Sequence, residues 1–224
     1  VQIHHIDPIN KGEVVWTLKP QDVVAIGRFF KTGKFDASRI VALTGSEVVK
    51  PRYYRTLIGA EIAPMIKDNV EAGNKRFISG NVLTGTRISE TGHLSFYDSQ
   101  VTVIPEGDQP EFMGWLAPGF NKFSLSRTFF SWLTPNKKYA LNSSMNGEER
   151  AFVMTGQYEN VFPMDIYPQH LVKAIMMGDV EALEQLGIYE VAPEDFALCE
   201  FACTSKIDVQ ERVREGLEMV RKEC

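Results

Sequence analysis

Two cysteines four positions apart, Cys199 and Cys203, are the residues of this sequence whose type and spacing could bind a metal. They lie in a segment with helical spacing, so both thiols would share one face of a helix. A final cysteine followed by serine and a new helix is also typical of the end of an iron–sulfur motif. The pair therefore raises the question of a metal centre.

The rest of the sequence does not complete such a centre. A four-iron cluster needs four thiolates, usually a CxxCxxC run with one distant cysteine. A zinc site also needs four ligands, and none of the 4 histidines lies at ligand spacing from the pair. The third cysteine, Cys224, stands at the last position. We therefore expect no bound metal and two buried, chemically quiet thiols.

The 224 residues carry a net charge of −5 and contain no block of lysine and arginine. A general nucleic-acid binder, or a protein attracted to anionic lipid, would need a basic surface, so both classes are disfavoured.

No apolar run approaches the ~20 residues of a membrane helix, and the first residues lack the pattern of a secretory signal. The few cysteines fit a reducing cytosol. Because the sequence starts at Val1, as if in mid-strand, we expect a piece of a longer chain.

The first 50 residues predict a β-α-β unit at the end of an α/β domain. Val14–Leu18 is a short apolar strand candidate, a helix follows from Pro20 to Gly33, and Arg39–Gly45 reads as a buried strand. A unit of this size favours a parallel strand pair with a right-handed crossover. No glycine-rich phosphate-binding fingerprint accompanies it, so the residues give no support for dinucleotide binding.

Residues 51–116 predict a small α+β module of strands around one short helix. Its segment Gly80–Gly92 is rich in glycine and has two interpretations. It is either a long hairpin connection or a loop that contacts a ligand, since loops on rigid scaffolds often carry function.

Residues 117–164 form an aromatic-rich connecting segment. Its candidate partner-binding residues are Phe120, Lys122, Arg127, Phe129, Phe130 and Trp132. Aromatic residues and arginine are enriched at the energetic centres of interfaces, but aromatic residues are also good core residues. Both interpretations stay open at this point. The polar stretch Asn142–Arg150 is expected to be an exposed loop.

Residues 165–224 predict a small antiparallel bundle of helices joined by short turns. Pro168 and Pro193 each mark the start of a helix, and Asp179 can cap another. A capping box at Ser205–Asp208 would start the last helix. Taken together, the segments predict an α+β protein.

Five stretches, in order along the chain, resemble a known family. They are Val14–Gly45 (VVWTLKPQDVVAIGRFFKTGKFDASRIVALTG), Arg76–Thr86 (RFISGNVLTGT), Gly114–Leu133 (GWLAPGFNKFSLSRTFFSWL), Gln157–Pro168 (QYENVFPMDIYP) and Leu198–Glu218 (LCEFACTSKIDVQERVREGLE). The chain resembles the C-terminal half of the A subunit of the bacterial Na⁺-translocating NADH:quinone reductase, along nearly its whole length.

The resemblance implies an architecture. Residues 1–50 would finish an α/β domain, residues 51–116 would be a soluble ligand-binding β-grasp (SLBB-like) module, and residues 165–224 would be a degenerate iron–sulfur domain. The C subunit of Rnf-type complexes and the flavin-bearing subunit of respiratory complex I carry such a β-grasp module followed by a cluster domain. On this view Cys199 and Cys203 are remnants of a set of cluster ligands.

The resemblance also implies a function. The chain would belong to a peripheral subunit on the cytoplasmic face of the bacterial inner membrane, in a complex that couples NADH:ubiquinone reduction to sodium transport. Flavin chemistry and sodium transport in the family belong to other, membrane-embedded subunits. This fragment would therefore have a docking or scaffold role, with no catalytic residue and no cofactor of its own. Its partners would be the other subunits, with quinone as a candidate ligand.

Two other functional classes stay open for this chain. A free-standing β-grasp module could bind a small soluble ligand such as a cobalamin or a glycan, which an internal pocket at residues 80–95 would favour. The other class is an active flavin or NAD enzyme. A yellow colour of the purified protein, or a change in its absorbance when NADH is added, would favour this class.

Overall fold

The computed structural model describes residues 1–109 and 111–223, and the chain divides into two units, residues 18–146 and residues 1–17 with 147–224. The helices are α1 (Gln2–Ile6), α2 (Pro20–Thr32), α3 (Ala63–Ile66), α4 (Pro168–Met177), α5 (Val180–Gln185), α6 (Ala197–Ala202) and α7 (Val209–Glu223). The strands are β1 (Ser38–Thr44), β2 (Arg52–Leu57), β3 (Lys75–Ser79), β4 (Thr86–Ile88) and β5 (Gln100–Pro105). Short 3₁₀ turns lie at Phe130–Leu133, Ile188–Glu190 and Pro193–Phe196.

The strands of the first unit form one mixed sheet in the order β2-β1-β5-β3-β4. β1 and β5 run parallel, whereas the pairs β1–β2, β3–β5 and β3–β4 are antiparallel. One face of the sheet packs with α3 and nearby loops around a core of Val41, Leu43, Val48, Ile62, Met65, Ile66, Leu94, Val101 and Val103. The mixed sheet together with the helices confirms the predicted α+β class.

The predicted β-α-β unit is wrong in its first strand. α2 begins at Pro20 and ends before Gly33, which has a left-handed conformation (φ 67°), as the sequence predicts. Val14–Leu18, however, forms no strand, and the parallel neighbour of β1 is β5. Local pattern does not reveal which strand will lie beside β1, because strand pairing depends on contacts between distant parts of the sequence.

Side chains at the start of α2 attach the helix to β1. The Gln21 amide donates from Nε2 to the carbonyl of Ile40 and accepts the Ile40 N–H at Oε1, both at 3.0 Å. It thereby satisfies two backbone groups that no neighbouring strand reaches. Next to it, the carboxylate of Asp22 pairs with Arg39, whose side chain is almost fully buried. The predicted helix therefore packs on the predicted strand through polar contacts.

β1 lies before the predicted domain boundary at residue 50, whereas its two neighbours in the sheet lie after it. The β1–β2 register runs from Ser38↔Leu57 to Leu43↔Arg52, and β1 also pairs with β5. A module made of residues 51–116 alone would thus leave out a strand that has neighbours on both sides.

Helices α4 to α7 pack around the core of the second unit, which includes Leu171, Val172, Leu183, Phe196, Val209 and Val213. α4 begins at Pro168, as predicted, and Gly178 ends it in a left-handed conformation. Asp179 caps α5 by accepting the Ala182 N–H at 3.0 Å, also as predicted. Pro193 opens a 3₁₀ turn that leads into the short helix α6.

The predicted capping box before α7 is wrong, because Ser205 has other partners. Its hydroxyl oxygen accepts the Val153 N–H at 3.3 Å, and its carbonyl oxygen accepts the Arg150 N–H at 2.8 Å. Ser205 is buried at this point. The serine therefore holds the segment around residues 150–153 rather than the first turn of α7.

Limited proteolysis is expected to cut first within residues 145–149. These residues are exposed, and the chain passes between the two units at this point. The flanking residues are held in place: Ser143 bonds to the Gly107 N–H (2.9 Å) and to Glu106, and Arg150 bonds to Ser205. An exposed tip between anchored ends is a preferred site of cleavage.

A glutamate-specific protease and mass spectrometry would test this prediction, because the tip carries Glu148 and Glu149. The first fragments should correspond to a cut after one of these residues. A first cut elsewhere, for example after the exposed Glu71 or Glu90, would instead contradict the prediction.

Candidate functional site

Four of the six predicted partner-binding residues are exposed. Phe120 is 55% exposed, Phe130 is 50% and Trp132 is 52%, and Arg127 is exposed as well. Phe120 and Phe130 pack edge to face with ring centroids 5.8 Å apart, and Trp132 lies on the same 3₁₀ turn as Phe130. We refer to these four residues as the aromatic surface. Their exposure argues against the interpretation that these rings are core.

The other two candidates, Lys122 and Phe129, hold the segment together. Lys122 donates from Nζ to the carbonyl of Gly114 at 2.6 Å, pairs with Glu111 and lies 5.4 Å from the centroid of the Phe129 ring. A Cβ on Gly119 would lie 2.6 Å from Cγ of Phe129, so the backbone also packs tightly on this ring. Both side chains are therefore engaged within the segment.

Arg127 is presented by a strained turn. It has a left-handed backbone conformation (φ 56°), which is uncommon for residues other than glycine. The Arg127 N–H donates to the Ser124 carbonyl at 3.3 Å, and the Thr128 N–H donates to the Ser124 hydroxyl at 3.2 Å. The guanidinium itself has no hydrogen bond or ion pair within the described part of the chain. Strained residues often serve a function, and an exposed, unpaired arginine is suited to binding a carboxylate.

Cys199 and Cys203 lie together in the core of the helical unit, where both are buried. The Tyr158 hydroxyl donates to Cys203 Sγ at 3.0 Å, and Cys199 Sγ lies 3.9 Å from the Tyr158 carbonyl oxygen. Burial raises the pKa of Cys199 to about 12, and burial also raises the pKa of Tyr158. In these surroundings both groups are protonated at neutral pH.

These surroundings do not fit an iron–sulfur cluster. Within residues 1–109 and 111–223, no group of three or more His, Cys, Asp or Glu side chains is placed to hold a metal ion. Cys224, the only other cysteine of the sequence, lies outside the described residues. The pair supplies two of the four thiolates that a cluster needs, and one of the two hydrogen-bonds to a tyrosine instead.

Replacing Cys203 with alanine is expected to destabilise the helical unit by about 2 kcal/mol, because the buried Tyr158 hydroxyl would lose its acceptor. Adding Tyr158→Phe to this variant removes the unpaired donor and should restore part of the loss. Thermal unfolding of the single and double variants would measure both effects. Equal stability of wild type and Cys203→Ala would contradict a structural role for this bond.

The segment Gly80–Gly92 contains the hairpin connection between β3 and β4. Asn81 Oδ1 accepts the N–H groups of Leu83 (2.8 Å) and Thr84 (3.0 Å), which fixes the turn. An open groove of about 390 Å³ lies beside it, lined by Lys75, Phe77, Arg87, Ile88, Ser89 and Glu90. Lys75 pairs with Glu47 and Arg87 pairs with Glu106. The groove is open to solvent, and its two cations already have carboxylate partners, so its geometry does not favour a small-ligand site.

The exposure of two features was not predicted from the sequence. The apolar face of α2 is uncovered and includes Val23, Val24, Ile26, Phe29 and Phe30. The outer side of β2 is also uncovered, with Tyr53 at 78% exposure. The sequence RYYRTL of β2 does contain a signal for the second feature, because each face of the strand carries one arginine and one tyrosine, so neither face is apolar throughout.

No helix in the described ranges is long and apolar enough to cross a membrane.

Comparison with known proteins gives two kinds of match. A family model described as the NqrA second alpha/beta domain matches residues 1–35, and one described as the NQRA C-terminal domain matches residues 40–90. The chain is also similar to proteins named as the A subunit of Na(+)-translocating NADH-quinone reductase from Rhodopirellula baltica (45% identity), Hahella chejuensis (41%) and Pasteurella multocida (40%). Each alignment covers 99% of this chain and 49% to 50% of the relative. The chain thus spans about half the length of these relatives.

Proposed function

Because nearly the whole chain is homologous to one half of the A subunit of the Na⁺-translocating NADH-quinone reductase, as its sequence predicts, we propose that it is part of a peripheral subunit of such a complex. The complex would lie at the cytoplasmic face of the bacterial inner membrane and couple ubiquinone reduction by NADH to sodium transport. The observation that carries this proposal is the 45% identity to the Rhodopirellula baltica protein over 99% of the chain.

The role of this part of the subunit is docking rather than catalysis. The aromatic surface supports that role, because it combines three half-exposed rings with an unpaired arginine. Interfaces concentrate their binding energy in residues of these types. The partners are the other subunits of the complex, and ubiquinone is a substrate of the complex as a whole.

The architecture that we propose follows the family. Residues 1–35 finish an α/β domain, and the exposed apolar face of α2 is covered by the remainder of that domain in the complete subunit, since the relatives are about twice as long as this chain. The sheet is the SLBB-like β-grasp module, with β1 assigned to it because the C-terminal family model starts at residue 40. Residues 117–164 connect it to the helices.

The helical segment 165–224 is, in this proposal, an iron–sulfur domain that has lost its cluster. Anaerobically purified protein is then expected to contain no stoichiometric iron, because Cys199 and Cys203 cannot hold four iron atoms alone. Elemental analysis would measure the iron content per chain. A value of about four irons per chain would overturn this prediction, and with it the proposal that the domain has lost its cluster.

The functional proposal is tested in membranes that lack the complete subunit. NADH-dependent ubiquinone reduction and the accompanying sodium uptake should be lost in such membranes and restored by the wild-type subunit. The isolated chain should not oxidise NADH. Full sodium-coupled activity in membranes without the subunit would refute the proposal, and NADH oxidation by the isolated chain would refute the docking role.

A further inference from the structure

The outer edge of β2 carries unpaired backbone groups. The Ile58 N–H donates to the Ala37 carbonyl at 2.9 Å, and the register places Ala42 opposite Tyr53. In an antiparallel pair, hydrogen-bonded and non-hydrogen-bonded positions alternate. The peptide groups of Tyr53 and Arg55 therefore point away from β1, and they meet no hydrogen-bond partner among the described residues. β2 ends the sheet on this side.

Exposed aromatic, aliphatic and arginine side chains lie along this edge. Tyr53 is 78% exposed, Leu57 is 61% exposed, and Arg55 is exposed between them on the same face. Ile40, the partner of Arg55 on β1, is 53% exposed. We call these four residues the β2 surface. Charged side chains and proline commonly protect edge strands from pairing with other strands; β2, with the sequence RYYRTL, carries arginines but contains no proline that would block a new backbone bond.

The edge is also locally positive in a chain whose net charge is −5. Arg55 makes no hydrogen bond or ion pair in the part of the chain that the structure describes. Arg52 donates to the Tyr54 hydroxyl at 2.7 Å and lies over that ring at 4.8 Å, without a carboxylate partner there. Arg55 is thus available to a carboxylate from outside the chain, whereas Arg52 lies on the opposite face of the strand and is engaged with Tyr54.

We infer that the β2 surface binds an extended, carboxylate-bearing segment of another protein chain, which adds a strand to the sheet beside β2. The peptide groups of Tyr53 and Arg55 provide the backbone bonds of this pairing, while the Arg55 side chain selects an acidic segment. A second copy of this chain fits less well, because it would bring its own Arg55 to the same edge. The inference rests on the proposed function, since the partner is taken to be another subunit of the complex.

The variant Tyr53→Pro, made in the complete subunit, tests the backbone part of this pairing. Proline is tolerated on an edge strand where its missing N–H faces outward, so the β1–β2 bonds should survive while the incoming strand is blocked. Recovery of the partner chain with the subunit from solubilised membranes should fall about tenfold, the effect of losing roughly one hydrogen bond. Arg55→Glu, which leaves the backbone unchanged, should cause a similar loss, and Tyr53→Phe should behave as wild type.

The outcomes separate this inference from the functional proposal. If the wild-type subunit recovers no other subunit, the proposed function fails. If wild type recovers them and both Tyr53→Pro and Arg55→Glu do so equally well, the strand pairing is overturned. If Tyr53→Pro lowers the unfolding temperature of the subunit, its recovery no longer tests the strand pairing. The recovery of Arg55→Glu then decides whether the pairing exists. A photoreactive phenylalanine analogue at position 53 should cross-link to another protein chain, whereas a cross-link to lipid or to a second copy would contradict the inference.

Discussion

Replacing Gly45 with alanine is expected to destabilise the sheet unit by about 4 kcal/mol, from the sum of backbone strain and overpacking. Gly45 follows β1 and has a φ of 124°, a conformation that side-chain-bearing residues rarely adopt. A Cβ there would lie 2.6 Å from the backbone nitrogen and 2.7 Å from the carbonyl carbon of Val103, and closer still to its carbonyl oxygen. Val103 is buried in β5 and paired with Phe77, so it cannot move without disturbing the β3–β5 ladder.

Urea unfolding of Gly45→Ala and of a matched variant, Gly33→Ala, would measure this effect. Gly33 also has a positive φ (67°), but a Cβ there meets nothing within 4 Å. Its replacement should therefore cost only the conformational strain, about 1 kcal/mol. Similar losses for the two variants would show that crowding against Val103 contributes nothing, contrary to the close approach of β1 and β5 at this position.

Elements with strong local signals were predictable from the sequence. Pro20 and Gly33 bracket α2, Pro168 and Gly178 bracket α4, and Asp179 caps α5, each as its residue type indicates. These signals act within one helical turn, so the sequence window that contains them also contains the physical cause. The two thiols are buried as expected, but the expectation that one helix holds both is wrong, because α6 ends at Ala202 and Cys203 has an extended conformation.

Pairings between distant residues were not predictable in the same way. Val14–Leu18 is as apolar as a strand, yet β5 occupies the place beside β1, and the Gln21 side chain completes the hydrogen bonding where β5 is too short. Ser205 has the spacing of a helix cap but binds a segment more than fifty positions earlier. In both cases a tertiary contact replaced the local partner that the pattern implied.

The partner-binding residues stay a prediction, and the sequence did not indicate the different positions that the structure gives them. Lys122 and Arg127 look alike in the sequence, since each is a cation among aromatic residues. In the structure Lys122 pairs with Glu111 and packs on Phe129, whereas Arg127 is exposed on a left-handed turn. Composition does not distinguish a cation that holds a segment from one that is free to bind a partner, because that depends on which carboxylates fold back to reach it.

Arg127→Ala and Trp132→Ala are expected to abolish assembly with the membrane subunits while leaving the subunit stable. Both side chains are exposed, so truncating them removes few internal contacts. In an interface, residues of these types typically carry about 2 kcal/mol or more each when truncated, which corresponds to a loss of affinity of at least roughly thirtyfold. The measurements are thermal unfolding of the complete subunit, together with its recovery with the membrane subunits.

Phe129→Ala is the matched control, because it removes a ring from the same segment that packs internally on Gly119 and Lys122. It should lower the stability of the unit by about 3 kcal/mol, the cost of truncating a packed phenylalanine. Loss of stability in Trp132→Ala to a similar extent would support the interpretation that these rings are core. Unchanged stability with unchanged assembly in both Arg127→Ala and Trp132→Ala would mean that the aromatic surface is not where the subunit docks, and that the partner binds elsewhere on the chain.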